Sequence, residues 1–207
     1  VAHPVIVNSG PSSRRHLIHP GRHKKMAVYF QGTFKLKAME HNSDKSLHVR
    51  ERAYIAFQQV PGARVAPSTQ TFADCDYESC MLQSDFCLVP RGDTPTTARL
   101  FNAIAAGCIP LIVADHISLP FSDVLKWDKF SVQLPESELA NASAISSIVN
   151  MSADKFAELH RNLLDVADSF LYAKGVPSSF EAGALIHHVL LAACNAVEGG
   201  PKHRNNL

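Results

Sequence analysis

Nine consecutive residues, Arg91 to Arg99, hold two guanidinium groups, a glycine, an aspartate and three threonines. That set suits an anion. Arg91 and Arg99 supply fixed positive charge in a planar fork that matches phosphate. Gly92 allows a ligand to approach the backbone closely. Asp93 and Thr94 shape the turn, and Thr94 is a good N-cap with Pro95 in the first helical position. A helix starting there directs its free N–H groups, over Thr94–Thr97, toward a bound anion, and its dipole adds to the attraction. Thr96 and Thr97 add hydroxyl donors in the first turn. A diphosphate fits this chemistry. The same helix end also occurs in strand–helix–strand units that bind nothing, so spacing alone leaves both readings open.

The elements that position this stretch are legible on either side of it. Phe86–Val89 is a short apolar run closed by Pro90 and reads as a buried strand. The helix runs through Ala106 and stops at Gly107, a natural residue for a left-handed helix end. Ile109–Ala114 is a second apolar run. Strand, turn, helix and strand in about thirty residues make a βαβ unit with parallel strands. Such sheets place ligands beyond the carboxyl ends of their strands. The loop opened by Asp115 and His116 is therefore positioned to touch a ligand, although neither residue has a visible partner for acid–base work.

The rest of the chain fits one α/β domain. Residues 1–24 read as a linker, or the end of a preceding domain, and 198–207 as a polar tail, leaving 25–197 as the domain proper. Met26–Phe30 is a strand ending at Gln31-Gly32, and Thr33–Asp44 an exposed loop. Ser46–Gln58 has helical spacing and carries Arg50. Ala63–Ala66 reads as a short strand, Asp74–Leu82 as a helix and Lys129–Leu134 as the next strand. Ala142–Val149, Ala153–Tyr172 and Phe180–Val197 read as helices.

The chain has 207 residues, 46% hydrophobic and 19% charged, with a net charge of +1, which gives no reason to expect nucleic acid. It contains no apolar run of about 18 residues and no signal-peptide pattern. It begins at Val1, as a fragment or processed portion would. The five cysteines match no zinc spacing. Cys87 and Cys108 are expected as small core thiols, the rival reading being a lumenal protein with one or two disulfides in which Cys75 and Cys80 take part. Asn141-Ala142-Ser143 and Asn150-Met151-Ser152 are glycosylation sequons. Asp74-Cys75-Asp76 has the form of a metal-binding carboxylate triad, but it falls in the predicted helix, and no metal is assigned.

Taken together, Phe86-Cys87-Leu88, Gly92-Asp93-Thr94-Pro95, Arg99-Leu100-Phe101, Gly107-Cys108-Ile109-Pro110, Leu119-Pro120-Phe121 and Asp123-Val124-Leu125 resemble the signature of the exostosin-like glycosyltransferases. The run from Gly92 to Ile104 is closest to the plant and algal branch. The resemblance implies a Rossmann-like parallel sheet flanked by helices, the C-terminal, donor-binding domain of a GT-B enzyme. It implies a nucleotide-sugar donor, most often UDP-linked, no metal cofactor, and a glycan acceptor in cell-wall or matrix polysaccharide synthesis. It also implies inversion at the anomeric carbon, a preceding acceptor-binding domain that supplies the base, and a Golgi-lumenal, type II membrane parent. Arg50, by analogy, reaches the donor phosphates with Arg91 and Arg99, and Asp115 or His116 the nucleotide or sugar. One position departs from the pattern: Asn102 stands where relatives carry an acid that accepts hydrogen bonds from ribose. Losing the charge costs about 1 kcal/mol, on the order of tenfold in donor affinity. Two alternatives follow, a non-catalytic member acting as a partner or scaffold, and a stand-alone nucleotide-binding module.

Overall fold

A computed structural model describes residues 25–34, 45–92, 97–167 and 170 of the chain. The expected helix at Phe180–Val197, the linker and the tail lie outside the described residues. So do Asp93, Thr94 and Thr96, with Pro95.

Five parallel strands form one sheet. They are β1 (Met26–Gly32), β2 (Ala63–Pro67), β3 (Ser84–Pro90), β4 (Ile109–Val113) and β5 (Val132–Gln133), in the order β2-β1-β3-β4-β5. The helices between and after them are α1 (Lys45–Phe57), α2 (Tyr77–Leu82), α3 (Ala98–Ala105), α4 (Ala142–Val149) and α5 (Ala153–Ala167). Every residue of β3 and β4 is buried, so these central strands are covered on both faces, as parallel strands must be. Val28 lies opposite Phe86, and Leu88 opposite Leu111. The core extends through Phe57, Leu100, Ile104, Trp127, Phe130 and Leu163. This is a Rossmann-like α/β fold, as expected.

The strand order has a direct consequence. From β1 the chain winds to one side, to β2, and then crosses back to β3 and onward to β4 and β5. The connections leaving β1 and β3 therefore run to opposite sides, which makes the carboxyl ends of these two strands the switch point, the crevice where such sheets receive ligands.

Four expectations are corrected. Helix α3 begins at Ala98 rather than in the Thr94–Thr96 stretch. Its N-cap is Thr97, in extended conformation with its side chain accepting from the Arg99 N–H. Helix α2 begins at Tyr77 because the Asp76 carboxylate caps it by accepting from the Ser79 N–H, so Asp74 and Cys75 precede the helix. The strand expected over Lys129–Leu134 shrinks to Val132–Gln133, because Trp127–Lys129 closes into a 3₁₀ turn that buries the indole. Finally, Cys87 and Cys108 are disulfide-bonded, and so are Cys75 and Cys80. Parallel pairing of Cys87 with Pro110 brings Cys108 alongside, at a Cα separation of 5.6 Å. The end of α3 is as expected: Gly107 has φ 59°, and Gly107 and Cys108 donate to the Ile104 and Ala103 carbonyls.

Candidate functional site

At the crevice between β1 and β3, Arg99 projects from the first turn of α3 and lies over the Phe30 ring, 4.6 Å from its centroid. Its Nη2 donates to the Gln31 carbonyl at 2.5 Å, and its Nη1 to the Tyr77 hydroxyl at 3.2 Å. Gly32 makes room for this. A Cβ there would stand 2.7 Å from the Phe30 ring and 3.0 Å from Arg99 Nη2. Burial pulls the Arg99 guanidinium below the usual arginine range, and the nearby charge of Arg50 acts in the same direction. Among the described residues no carboxylate pairs with Arg99. A guanidinium drawn largely out of water and met, among the described residues, by one carbonyl, one phenol hydroxyl and two ring faces is costly by itself and favours an arriving anion.

Arg50 reaches the same crevice from α1. Its Nη1 donates to the Thr33 carbonyl at 3.0 Å and its Nε to the Arg91 carbonyl at 3.2 Å. It therefore bridges the chain leaving β1 to the chain leaving β3. Arg91, on the chain leaving β3, is paired within the protein. Its Nε forms an ion pair with Glu136 Oε1 at 2.7 Å, both side chains being largely buried. Glu136 also accepts from the Asp115 N–H at 3.1 Å, and its own N–H donates to Asp115 Oδ1 at 3.1 Å. Arg91, Asp115 and Glu136 thus tie together the segments following β3, β4 and β5.

Asn102 sits one turn along α3 from Arg99. Its Nδ2 donates to the Tyr77 hydroxyl at 3.4 Å, while its Oδ1 is buried and has no hydrogen-bond partner among the described residues. Tyr77 is thus shared by Arg99 and Asn102. Behind it lies Tyr29, which donates to Gln31 Oε1 at 2.9 Å and whose hydroxyl burial pushes up to about 12. Gly92 is buried at the mouth of the crevice. His116 is exposed on the β4 loop in left-handed conformation, with φ 58°. Phe121 shares that conformation, at φ 55°, and Trp127 Nε1 pins the loop by donating to the Pro120 carbonyl at 2.8 Å. Two non-glycine residues at positive φ mark a loop held in shape by its surroundings.

Tyr77 and Glu136 escape the sequence reading, because each meets its partners only through the fold. The Asp74-Cys75-Asp76 triad is occupied otherwise. Asp74 pairs with Arg64 and Lys25, which hold its carboxyl well below the usual range, and Asp76 caps α2. Among the described residues no group of three His, Cys, Asp or Glu is placed to hold a metal ion. None of the described helices is long and apolar enough to cross a membrane.

Comparison with known proteins bears on the family of the chain. A protein of Oryza sativa subsp. japonica described as a probable glucuronosyltransferase is 28% identical over 177 residues, which is 86% of this chain and 41% of that protein. A probable arabinosyltransferase of Arabidopsis thaliana is 39% identical over 93 residues, 44% of this chain and 21% of that protein. Exostosin-2 of Bos taurus is 31% identical over 141 residues, 68% of this chain and 19% of that protein. The chain therefore spans less than half the length of these curated relatives. Residues 1–150 match the exostosin GT47 domain. With that match covering most of its length, the chain belongs to the exostosin GT47 family of glycosyltransferases.

Proposed function

We propose that this chain is the donor-binding portion of a GT-B glycosyltransferase, which takes a nucleotide sugar, UDP-linked, and passes the sugar to a glycan acceptor. The observation that carries this reading is Arg99. It is a buried guanidinium without a described carboxylate, close to Arg50, at the switch point of the sheet. A diphosphate supplies the missing negative charge. As the bond from sugar to diphosphate breaks, charge develops on the leaving phosphate, and guanidinium groups already in place stabilise it without reorganising. Donor-binding roles for Gly92, Thr97, Asp93, Thr94 and Thr96 belong to the same proposal. Arg91 acts by fixing the loops through Glu136.

The buried, unpartnered Oδ1 of Asn102 suits a ribose hydroxyl, which would donate to it. Asp115 and His116, on the constrained loop after β4, face the sugar in this reading. An acceptor-binding half that supplies the base belongs, in this reading, to a separate domain. Residence in the Golgi lumen, polysaccharide synthesis and an inverting transfer belong to the same proposal. A second reading rests on Asn102. If the uncharged side chain weakens donor binding too far, the protein acts as a partner for an active enzyme.

The test is calorimetric titration of the chain with UDP and with a panel of UDP-sugars. Saturable binding that is lost in Arg99→Met and weakened in Arg50→Ala is expected. Absence of binding by the unaltered chain removes the donor-site reading. Asn102→Asp is expected to tighten binding, and an unchanged affinity would separate this residue from the ribose.

A further inference from the structure

The two sequons bracket a single helix. Asn141 is the N-cap of α4 and Asn150 its C-cap, and both side chains are exposed. Asn141 Oδ1 accepts from the Ser143 and Ala144 N–H groups at 3.1 and 3.2 Å, while its Nδ2 donates to Glu138 Oε2 at 2.7 Å. Asn150 Nδ2 donates to the Ser146 hydroxyl at 3.0 Å. The capping function of Asn141 therefore rests on the oxygen, and the nitrogen can be modified without uncapping the helix. The partners of both Nδ2 atoms lie at the surface, so a bulky substituent leaves no buried group unpaired.

The surroundings point the same way. From Leu139 to Ala153 the sequence contains no Asp, Glu, Lys or Arg, although Ser143, Ser146 and Ser147 are exposed on α4. Surface helices ordinarily carry charge on their solvent face. A face that is exposed, small and uncharged accommodates a neutral, heavily hydrated chain. Ala140 and Ala142, which flank Asn141, also line a shallow cleft with Ile55, Ala56 and Leu139. A sugar on Asn141 stands at the rim of that cleft. The two disulfides, independently, belong to a protein folded in an oxidising compartment, where asparagine-linked transfer takes place.

We propose that Asn141 and Asn150 both carry N-linked glycans. In each case Nδ2 forms a bond to the anomeric carbon of an oligosaccharide carried on a polyprenyl diphosphate. The bond from that carbon to the phosphate oxygen breaks, the lipid diphosphate leaves with the electron pair, and Nδ2 gives up one proton. The amide oxygen keeps its role in the cap.

The experiment uses the protein purified from the cells that make it. Treatment with peptide N-glycosidase in heavy-oxygen water, followed by peptide mass spectrometry, is expected to return residues 141 and 150 as aspartate bearing the heavy isotope. Asparagine of unaltered mass at either position, before treatment, overturns the assignment there. Ser143→Ala destroys the first sequon and leaves the Asn141 cap in place. It is expected to remove one glycan-sized step in electrophoretic mobility, Asn150→Asp the other, and Ser152→Thr neither. Unchanged mobility in Ser143→Ala or in Asn150→Asp overturns the proposal for that site.

Discussion

Arg99 carries two opposed consequences in one side chain. Its burial without a described carboxylate destabilises the unliganded protein, and the same arrangement attracts a diphosphate. Replacement by methionine, similar in length and apolar, is expected to leave the thermal midpoint of the nucleotide-free protein unchanged or raised by a few degrees. Scanning calorimetry checks this, and a large fall would mean that Arg99 serves packing rather than a ligand. Tyr29 offers a second handle. Burial raises its hydroxyl to about 12, from an unfolded value near 10. The neutral phenol is the form the fold favours, so its contribution is complete below about pH 10 and is lost as pH rises through about 12. Ultraviolet titration of phenolate is expected to show one late-ionising tyrosine, absent from Tyr29→Phe.

Among the elements, the strand–helix–strand unit around α3 was legible because its signals are local: apolar runs, a glycine stop and a turn rich in small residues. The start of α3 is ambiguous in the sequence for an equally local reason. Thr94, Thr96 and Thr97 are all competent caps, and only the fold selects Thr97. Tyr77 was invisible because it meets Arg99 across a separation of 22 residues, and Glu136 because it meets Arg91 across 45. The Cys87–Cys108 bond spans 21 residues of sequence and becomes a short contact only through parallel pairing of β3 with β4. It closes the crossover that holds Arg99, so it restrains the unfolded chain by about 3 kcal/mol. The double replacement Cys87→Ala with Cys108→Ala is expected to lower unfolding stability by about that amount in a denaturant titration. A loss below about 1 kcal/mol would show that the bridge contributes little beyond packing.

For the molecule as a whole, donor binding and folding are linked. A ligand present at about a hundred times its dissociation constant raises stability by about 3 kcal/mol if it binds only the folded form. UDP is therefore expected to raise the thermal midpoint of the unaltered chain and leave that of Arg99→Met where it was. The far end of the described residues sets a separate requirement. Phe156, Leu159, Leu163 and Ala167 of α5 are buried, and Phe170 packs against Phe101, Phe121, Trp127 and Phe130. The match to the family model ends at residue 150, but the hydrophobic interior does not. A polypeptide cut there would present an uncovered aromatic wall to water and is expected to aggregate, while one continued past Phe170 stays monodisperse on size exclusion. The end of the family model is thus a poor guide to where this domain can be divided, since Phe170 is part of its interior.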